Sequence, residues 1–365
     1  MDNTQVAVVG GGVSGLNVAR LLTAGGVSFE LFEARDRLGG RVLTVDGSGA
    51  VSEDGYDLGP SWFWPRLQPG IGGLVEELGI ASFPQSSDGD VIFERMSREP
   101  AQRYAGIRQE PETMRFVGGS AALVAGLAGK VPHDRVRLSS TVMGLQLGGG
   151  GVRLTYRDGS GSERSVNAEY VVAALPPRLL EATIGLAPAV PPQNALLWRG
   201  TPTWMAAQAK FFALYDSPFW LGAALSGTAQ SMVGPMLEMH DATTQSGGAA
   251  LFGFVGVGPV ERQSMGEQAL TDACLAQFAR IFGPEAQTPT ATILKDWATD
   301  PLTATTDDTT SSGHPSSAPS WVNGPWADRL VLAGSEASPH EAGYLAGAIE
   351  ASALAATDIR RRLDR

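Results

Sequence analysis

Cysteine is almost absent from this 365-residue chain: Cys274 stands alone, so no intramolecular disulfide can form and a reducing compartment is allowed. Its setting, TDACLAQFARIF, has the apolar spacing of an amphipathic helix, where a buried structural thiol is expected. Lysine is scarce, with Lys130, Lys210 and Lys295 only, and no long run of Lys and Arg interrupts a formal net charge of −11. That balance argues against nucleic acid or an anionic membrane surface as the main partner. No apolar run reaches the ~18 residues that span a bilayer. The start, MDNTQVAVVG, lacks the basic region of a signal peptide, so the chain reads as cytoplasmic with no membrane partner. His133, His240, His314 and His340 lie without metal-ligand spacing, and no nucleophile elbow is present. Neither a metal site nor a Ser-His-Asp hydrolase is therefore indicated.

Hydrophobic residues make up 43% of the chain and charged residues 18%, the balance of a folded protein. Its length exceeds one ordinary core, so two domains are expected. The opening reads as strand (Gln5–Val9), Gly-rich turn, helix (Val13–Ala24) and strand (Ser28–Phe32), a βαβ start. A short helix is expected near 70–80, then a polar, irregular stretch over 83–114. Alternating segments flank GGGG and DGSGS between 136 and 175, the pattern of a hairpin meander. Four glycines can also cradle a phosphate, but strands on both sides favour a plain turn. Strands follow in WMAAQAKFFALY and GGAALFGFVGVG, then a helix near Gly266–Phe282, a Thr/Ser/Pro-rich loop over 298–320, a strand in RLVLAG and a terminal helix.

Gly10, Gly12 and Gly15 form G-x-G-x-x-G between the first strand and its helix. The first glycine permits the turn, the second lets backbone approach a pyrophosphate, and the third lets helix and strand pack closely. Phosphate is then met by free N–H groups and the helix dipole. Glu33 ends the second strand, where a carboxylate accepts ribose hydroxyls and disfavours a 2′-phosphate. A Rossmann-type dinucleotide site follows. GFVGVGPVE (Gly253–Glu261) is a poor second fingerprint, because Glu261 occupies the third-glycine position. A second nucleotide for a reductase is therefore not expected.

EARDRLGGRV (Glu33–Val42) resembles the extended FAD fingerprint of the flavin-containing amine oxidase superfamily. DLGPSWFWP (Asp57–Pro65) and LVLAGSEASPHEAGYLAGAIEAS (Leu330–Ser352) resemble two further blocks in the same order. The likeness is strong at both ends of the chain and loose in the middle. It implies an α/β (α+β mixed) fold, a Rossmann-type FAD-binding domain with an inserted substrate domain built on a mixed β-sheet with flanking helices. The FAD-binding domain is expected over 1–80, 115–195 and 320–365, and the substrate domain over 81–114 and 196–319. Cofactor contacts implied by the resemblance are Gly10, Gly12, Gly15, Glu33, Arg35, Gly40, Arg41, Gly59, Ser61, Trp62, Val142, Glu336, Gly343, Tyr344 and Leu345. Arg35 and Arg41 are assigned to the pyrophosphate side because a guanidinium fork matches phosphate geometry.

The superfamily also carries a lysine on a substrate-domain strand shortly before a Phe-Trp pair. KFFALYDSPFW (Lys210–Trp220) fits, making Lys210 the candidate that holds a water against the reactive flavin nitrogen. A cation there stabilises superoxide on the way to peroxide; the alternative is a strand lysine reaching solvent. In the family two aromatic rings flank the amine. Tyr344 matches one, whereas Leu302–Asp308, after WATDP (Trp297–Pro301), offers no second ring. No cysteine lies where some members attach flavin, so FAD is expected to bind non-covalently. The implied activity is oxidation of a small-molecule amine to an imine, then a carbonyl, with dioxygen or another acceptor taking the electrons. Alternatives are a flavin-dependent desaturase or dehydrogenase of a hydrophobic substrate and a non-catalytic flavoprotein. The oligomeric state is left open.

Overall fold

Strand Asp2–Val9 is the hub of an eight-stranded sheet. Its alternating side chains are apolar on both faces (Val6, Ala7, Val8 and Val9 are all buried), as a central parallel strand covered by helices requires. The computed structural model describes every residue except 1, 107–109, 310–312, 317 and 319–320. In the first sheet the order is Gly185–Ala187, Thr141–Gly148, Gly151–Arg157, Glu163–Ala173, Asp2–Val9, Phe29–Phe32 and Val136–Arg137, with Leu330–Leu332 also paired to Glu163–Ala173. Pairings among Leu330–Leu332, Glu163–Ala173, Asp2–Val9, Phe29–Phe32 and Val136–Arg137 are parallel. Helices Val13–Ala24 and Leu345–Leu363 cover one face, burying Leu16, Leu22, Ile349 and Ile359 in a common core. The GGGG turn joins the antiparallel strands Thr141–Gly148 and Gly151–Arg157, as an ordinary hairpin does.

The second sheet has seven strands in the order Ala291–Asp296, Ala209–Tyr215, Ala249–Val255, Met236–Asp241, Leu225–Ser231, Asp90–Glu94 and Gln102–Tyr104. Ala209–Tyr215 is buried along its whole length. Its period of two sends Ala209, Phe211 and Ala213 toward helix Glu267–Phe282, where they meet Cys274 and Phe278. Phe212 and Leu214 enter a separate core with Tyr56 and Phe252, on the face that looks back at the first sheet.

One sequence expectation needs correction. The described residues of the 83–114 stretch are not irregular throughout: they contain strands Asp90–Glu94 and Gln102–Tyr104, which lie at one edge of the second sheet. Gln102–Tyr104 is the edge strand and is exposed along its length, while Glu94 on the strand beside it is buried as an ion pair with Arg280, so charge masked the periodicity in both. The helix expected near Gly266–Phe282 stands at Glu267–Phe282, and a further short helix, Pro259–Met265, precedes it across Gly266, where φ is +80°. The loop over 298–320 lies partly outside the described residues; its described part includes the single turns Trp297–Thr299 and Thr306–Thr309.

Candidate active site

The turn Gly10–Gly12 behaves as its three glycines require. Gly10 has φ +103°, and a Cβ there would lie 2.8 Å from the Ala174 carbonyl oxygen. A Cβ on Gly15 would come within 1.8 Å of the Gly10 carbonyl oxygen, so helix Val13–Ala24 can approach the turn only through a glycine. Gly12 differs: a Cβ there meets no protein atom nearer than 3.8 Å, and the residue lines a cavity of about 750 Å³. The helix has no side-chain cap and no acidic residue in its first turn, which leaves its first N–H groups available to an anion. Glu33 is 4% exposed and lines the same cavity. Its Oε2 accepts the Gly11 N–H at 2.6 Å and its Oε1 the Arg35 N–H at 2.8 Å, fixing a carboxylate with lone pairs to spare for a ribose. A capless helix start, a glycine approach and a fixed acid in one elongated cavity fit the adenosine-diphosphate half of FAD.

Gly10, Gly12, Glu33, Arg35, Gly40, Arg41, Gly59, Ser61, Trp62, Val142, Gly343, Tyr344, Leu345 and Lys210 all line this cavity. Gly15 and Glu336 do not; they stand behind its wall. Glu336 is fully buried, with its Oε2 accepting from Ser335 Oγ at 3.0 Å. Its Oε1 lies 2.8 Å from Arg41 Nη1 without an aligned hydrogen bond, an ion-pair contact that holds the arginine in place. Arg41 also donates to the Trp204 carbonyl at 3.1 Å and to Ser335 Oγ at 3.0 Å. Arg35 directs Nη2 to Asp300 Oδ1 at 2.8 Å and Thr303 Oγ1 at 3.1 Å, so part of its fork is occupied by protein rather than free for phosphate.

Lys210 is 5% exposed, and the solvent-reaching alternative does not apply. Nζ donates to the carbonyls of Asp57 (3.1 Å) and Gly59 (2.6 Å) and to Ser61 Oγ (2.9 Å). The Phe252 and Phe254 rings lie 4.8 and 5.2 Å from it. Burial pushes its pKa down to about 7, against the Asp57 carboxylate, which favours the cation, and with the help of Arg115. A neutral amine would keep its hydrogen bonds, since Ser61 O–H can turn to donate while the two carbonyls still accept.

Tyr344 is the centre of a ring cluster. Trp204 lies 6.3 Å from it, Trp64 6.5 Å at 88°, and His314 5.0 Å, with His314 in turn 4.3 Å from Trp204. Trp64 and Trp204 line the cavity, and neither was singled out from sequence. Trp64 lay within the DLGPSWFWP block, and Trp204 lies six residues before Lys210. Phe254 and Glu238 also line the cavity, and only strand register brings them there. Trp297 packs as a buried ring, donating Nε1 to the Leu58 carbonyl at 2.9 Å, and still borders the cavity. Among the described residues no group of acidic, His and Cys side chains could hold a metal ion, and no helix is long and apolar enough to cross a membrane.

A Rossmann-type glycine turn that shares one cavity with a buried lysine and an aromatic cluster defines a flavin-dependent oxidoreductase. The model of the family described as flavin containing amine oxidoreductase matches residues 13–117 and 101–360, so the chain belongs to that family and is an FAD-dependent enzyme of amine oxidation. It is 22% identical to a probable flavin-containing monoamine oxidase A of Dictyostelium discoideum over 98% of both chains. It is 26% identical to a putative flavin-containing monoamine oxidase, AofH, of Mycobacterium tuberculosis over 97% of this chain and 96% of the relative. Its fold is similar to that of putrescine oxidase bound to putrescine (TM-score 0.80, 20% identity, 98% and 99% covered). Cyclohexylamine oxidase from Brevibacterium oxydans is similar too (TM-score 0.82, 20% identity, 99% and 100% covered).

Proposed function

We propose that the chain oxidises a small primary or secondary amine whose reacting carbon sits between Lys210 and the Tyr344–Trp204 rings, with dioxygen as the electron acceptor. The amine loses a hydride from carbon and a proton from nitrogen. The resulting imine takes up water and splits into a carbonyl compound and the released amine or ammonia. Bound FAD supplies the two-electron chemistry, and dioxygen with two electrons and two protons leaves as hydrogen peroxide. The observation that carries this reading is the single cavity that joins the Gly12 turn to Lys210 and Tyr344.

The chain's own residues then divide the work. The helix start at Val13, Glu33 and Arg41 hold the nucleotide. Tyr344 and Trp204 present ring faces that orient the amine and exclude water from it, Trp204 filling the role of the second ring absent after WATDP. Lys210 disfavours a protonated amine at the reacting end and favours the anion that forms when dioxygen gains an electron. FAD is held without a covalent bond to cysteine: the one thiol, Cys274, is buried in helix Glu267–Phe282 with its pKa pushed up to about 12 by burial. The strand partition between the sheets supports an FAD-binding domain of 1–80, 115–195 and 320–365 and a substrate domain of 81–114 and 196–319.

The test is anaerobic mixing of the yellow holoprotein with primary, secondary and aromatic amines, followed by air. Bleaching and recovery with one peroxide per turnover is expected. An unbleached flavin with every amine, and bleaching by an apolar alkane or porphyrinogen-like substrate, would sink the reading. Acid precipitation should leave the flavin in the supernatant.

A further inference from the structure

Trp204 is only half-buried, and it stands on a turn that needs outside support. Met205, the next residue, has φ +63°, a left-handed conformation that a non-glycine residue keeps only where its surroundings fix it. Within the turn, the Ala206 N–H reaches the Thr203 carbonyl and the Gln208 N–H the Met205 carbonyl, both at 3.1 Å. From outside, Arg41 holds the Trp204 carbonyl, and Asp308 Oδ1 accepts the Thr203 N–H at 3.1 Å. The His314 ring lies against that of Trp204, 4.3 Å away.

Asp308 and its partner Arg178 are buried, and neither lines the cavity. Oδ1 of Asp308 takes the Arg178 guanidinium as well as the Thr203 N–H, and Oδ2 takes the Thr305 N–H at 2.8 Å and Thr305 Oγ1 at 2.9 Å. Arg178 in turn donates Nε to the Arg199 carbonyl at 2.8 Å. The ion pair therefore grips the chain at Arg199 and again at Thr203, the two ends of the segment that leads into Trp204. It joins that segment to helix Pro177–Thr183 and to the single turn Thr306–Thr309. Apolar side chains of similar volume often replace a buried ion pair with no loss of stability. They could not accept the Thr203 N–H, so the pair specifies the backbone ahead of Trp204 as well as filling space.

We infer that Asp308, held by Arg178, is a positioning residue for amine oxidation: it fixes the turn that presents the Trp204 ring beside Tyr344. This rests on the reading above in which Trp204 serves as the second ring. Asp308 ends Leu302–Asp308, the stretch after WATDP that carries no ring of its own. In place of a ring, that stretch supplies the carboxylate that steadies a ring borne by another segment. Asp308 lies outside the cavity, so its effect reaches the reaction only through Trp204.

The experiment follows fluorotryptophan-labelled holoenzyme by fluorine NMR, with the Trp204 line identified from Trp204→Phe. It also measures peroxide release with benzylamine, butylamine and any other amine that bleaches the flavin. The wild type should show one sharp Trp204 line. In the Arg178→Met, Asp308→Leu double variant that line should shift and broaden, while KM rises about tenfold and kcat changes less than about threefold. Placed on Trp204→Ala, the same two substitutions should leave KM where Trp204→Ala alone put it, because the effect passes through that ring. Asp308→Asn, whose amide has one acceptor oxygen for the donors around it, should act in the same direction. A Trp204 line and a KM that the double variant leaves unmoved, or KM effects that add to that of Trp204→Ala, overturn the inference. A broad or doubled Trp204 line in the wild type overturns it even if no variant folds. Flavin that no amine bleaches, with the Trp204 line moved as expected, overturns the amine reading and leaves Asp308 as the residue that positions Trp204.

Discussion

The Lys210 ammonium lies 2.6 Å from the carbonyl oxygen of Gly59, so a strand of the second sheet is tied directly to the DLGPSW segment on the cavity wall. Lys210→Met removes that cation and its three hydrogen bonds while keeping an unbranched side chain. Reoxidation of the flavin by dioxygen should fall on the order of a hundredfold with FAD still bound, as for loss of one preorganised charge at a reacting centre. Stopped-flow mixing of reduced enzyme with oxygenated buffer measures it; an unchanged rate removes Lys210 from the oxidative half of the cycle.

The same lysine gives a pH signature in stability. Its folded pKa of about 7 lies below the ordinary 10.5, so the unfolded chain binds the extra proton between those values. Stability attributable to Lys210 therefore rises with pH through that window and is lost as pH falls through about 7. The Tm of wild type relative to Lys210→Met should climb between pH 7 and pH 9. A flat difference would mean that the lysine is not desolvated as the structure has it.

Gly12 and Gly15 should separate cofactor binding from folding. Gly15→Ala drives a methyl to within 1.8 Å of the Gly10 carbonyl oxygen and should cost several kcal/mol, about 3 or more, because backbone must move. Gly12→Ala meets open cavity and should leave the Tm of the apoprotein nearly unchanged while weakening FAD. Thermal melts of apoprotein and flavin titration by fluorescence quenching distinguish the two. Equal effects on both would contradict the separate roles.

Gly343 and Trp204 are locked together, since a Cβ on Gly343 would fall 2.5 Å from the Trp204 Cβ. Trp204→Ala should raise the amine KM about tenfold, and Trp204→Phe should recover most of it, because ring area rather than the indole N–H is what faces Tyr344. Matching kinetics for Trp204→Ala and wild type would show that Tyr344 works without it.

Asp308 and Arg178 form a buried ion pair, with Asp308 also accepting the Thr203 N–H at 3.1 Å. Asp308→Ala strands a buried guanidinium and should destabilise the protein by about 3–5 kcal/mol. Urea unfolding checks this, and a loss under 1 kcal/mol would mean that water solvates the arginine.

Much of this was legible because it is written in short-range spacing. G-x-G-x-x-G, the acid at the end of the second strand and helix Val13–Ala24 are local patterns, and each stands where the spacing puts it. Lys210 alternates with Ala209 and Phe211 along its strand, so its face was implicit in the sequence once one neighbour was known to be core. The 83–114 strands were not legible, because Gln102–Tyr104 is exposed throughout and Glu94 is a buried charge neutralised by distant Arg280, so charge hides the period.

By itself the sequence determined the nucleotide turn, the flavin blocks and the shortage of competing chemistry: one thiol, three lysines and no metal spacing. Tertiary structure alone decided that Arg35 engages Asp300, that Glu336 braces Arg41 from behind the wall, and that Trp204 joins Tyr344. It also decided that Glu238 shares a row with Lys210. These relations depend on strand register and on loops that meet from distant parts of the chain. A one-residue slip in register would have turned Glu238 or Lys210 to the opposite face, and no local pattern encodes which register wins.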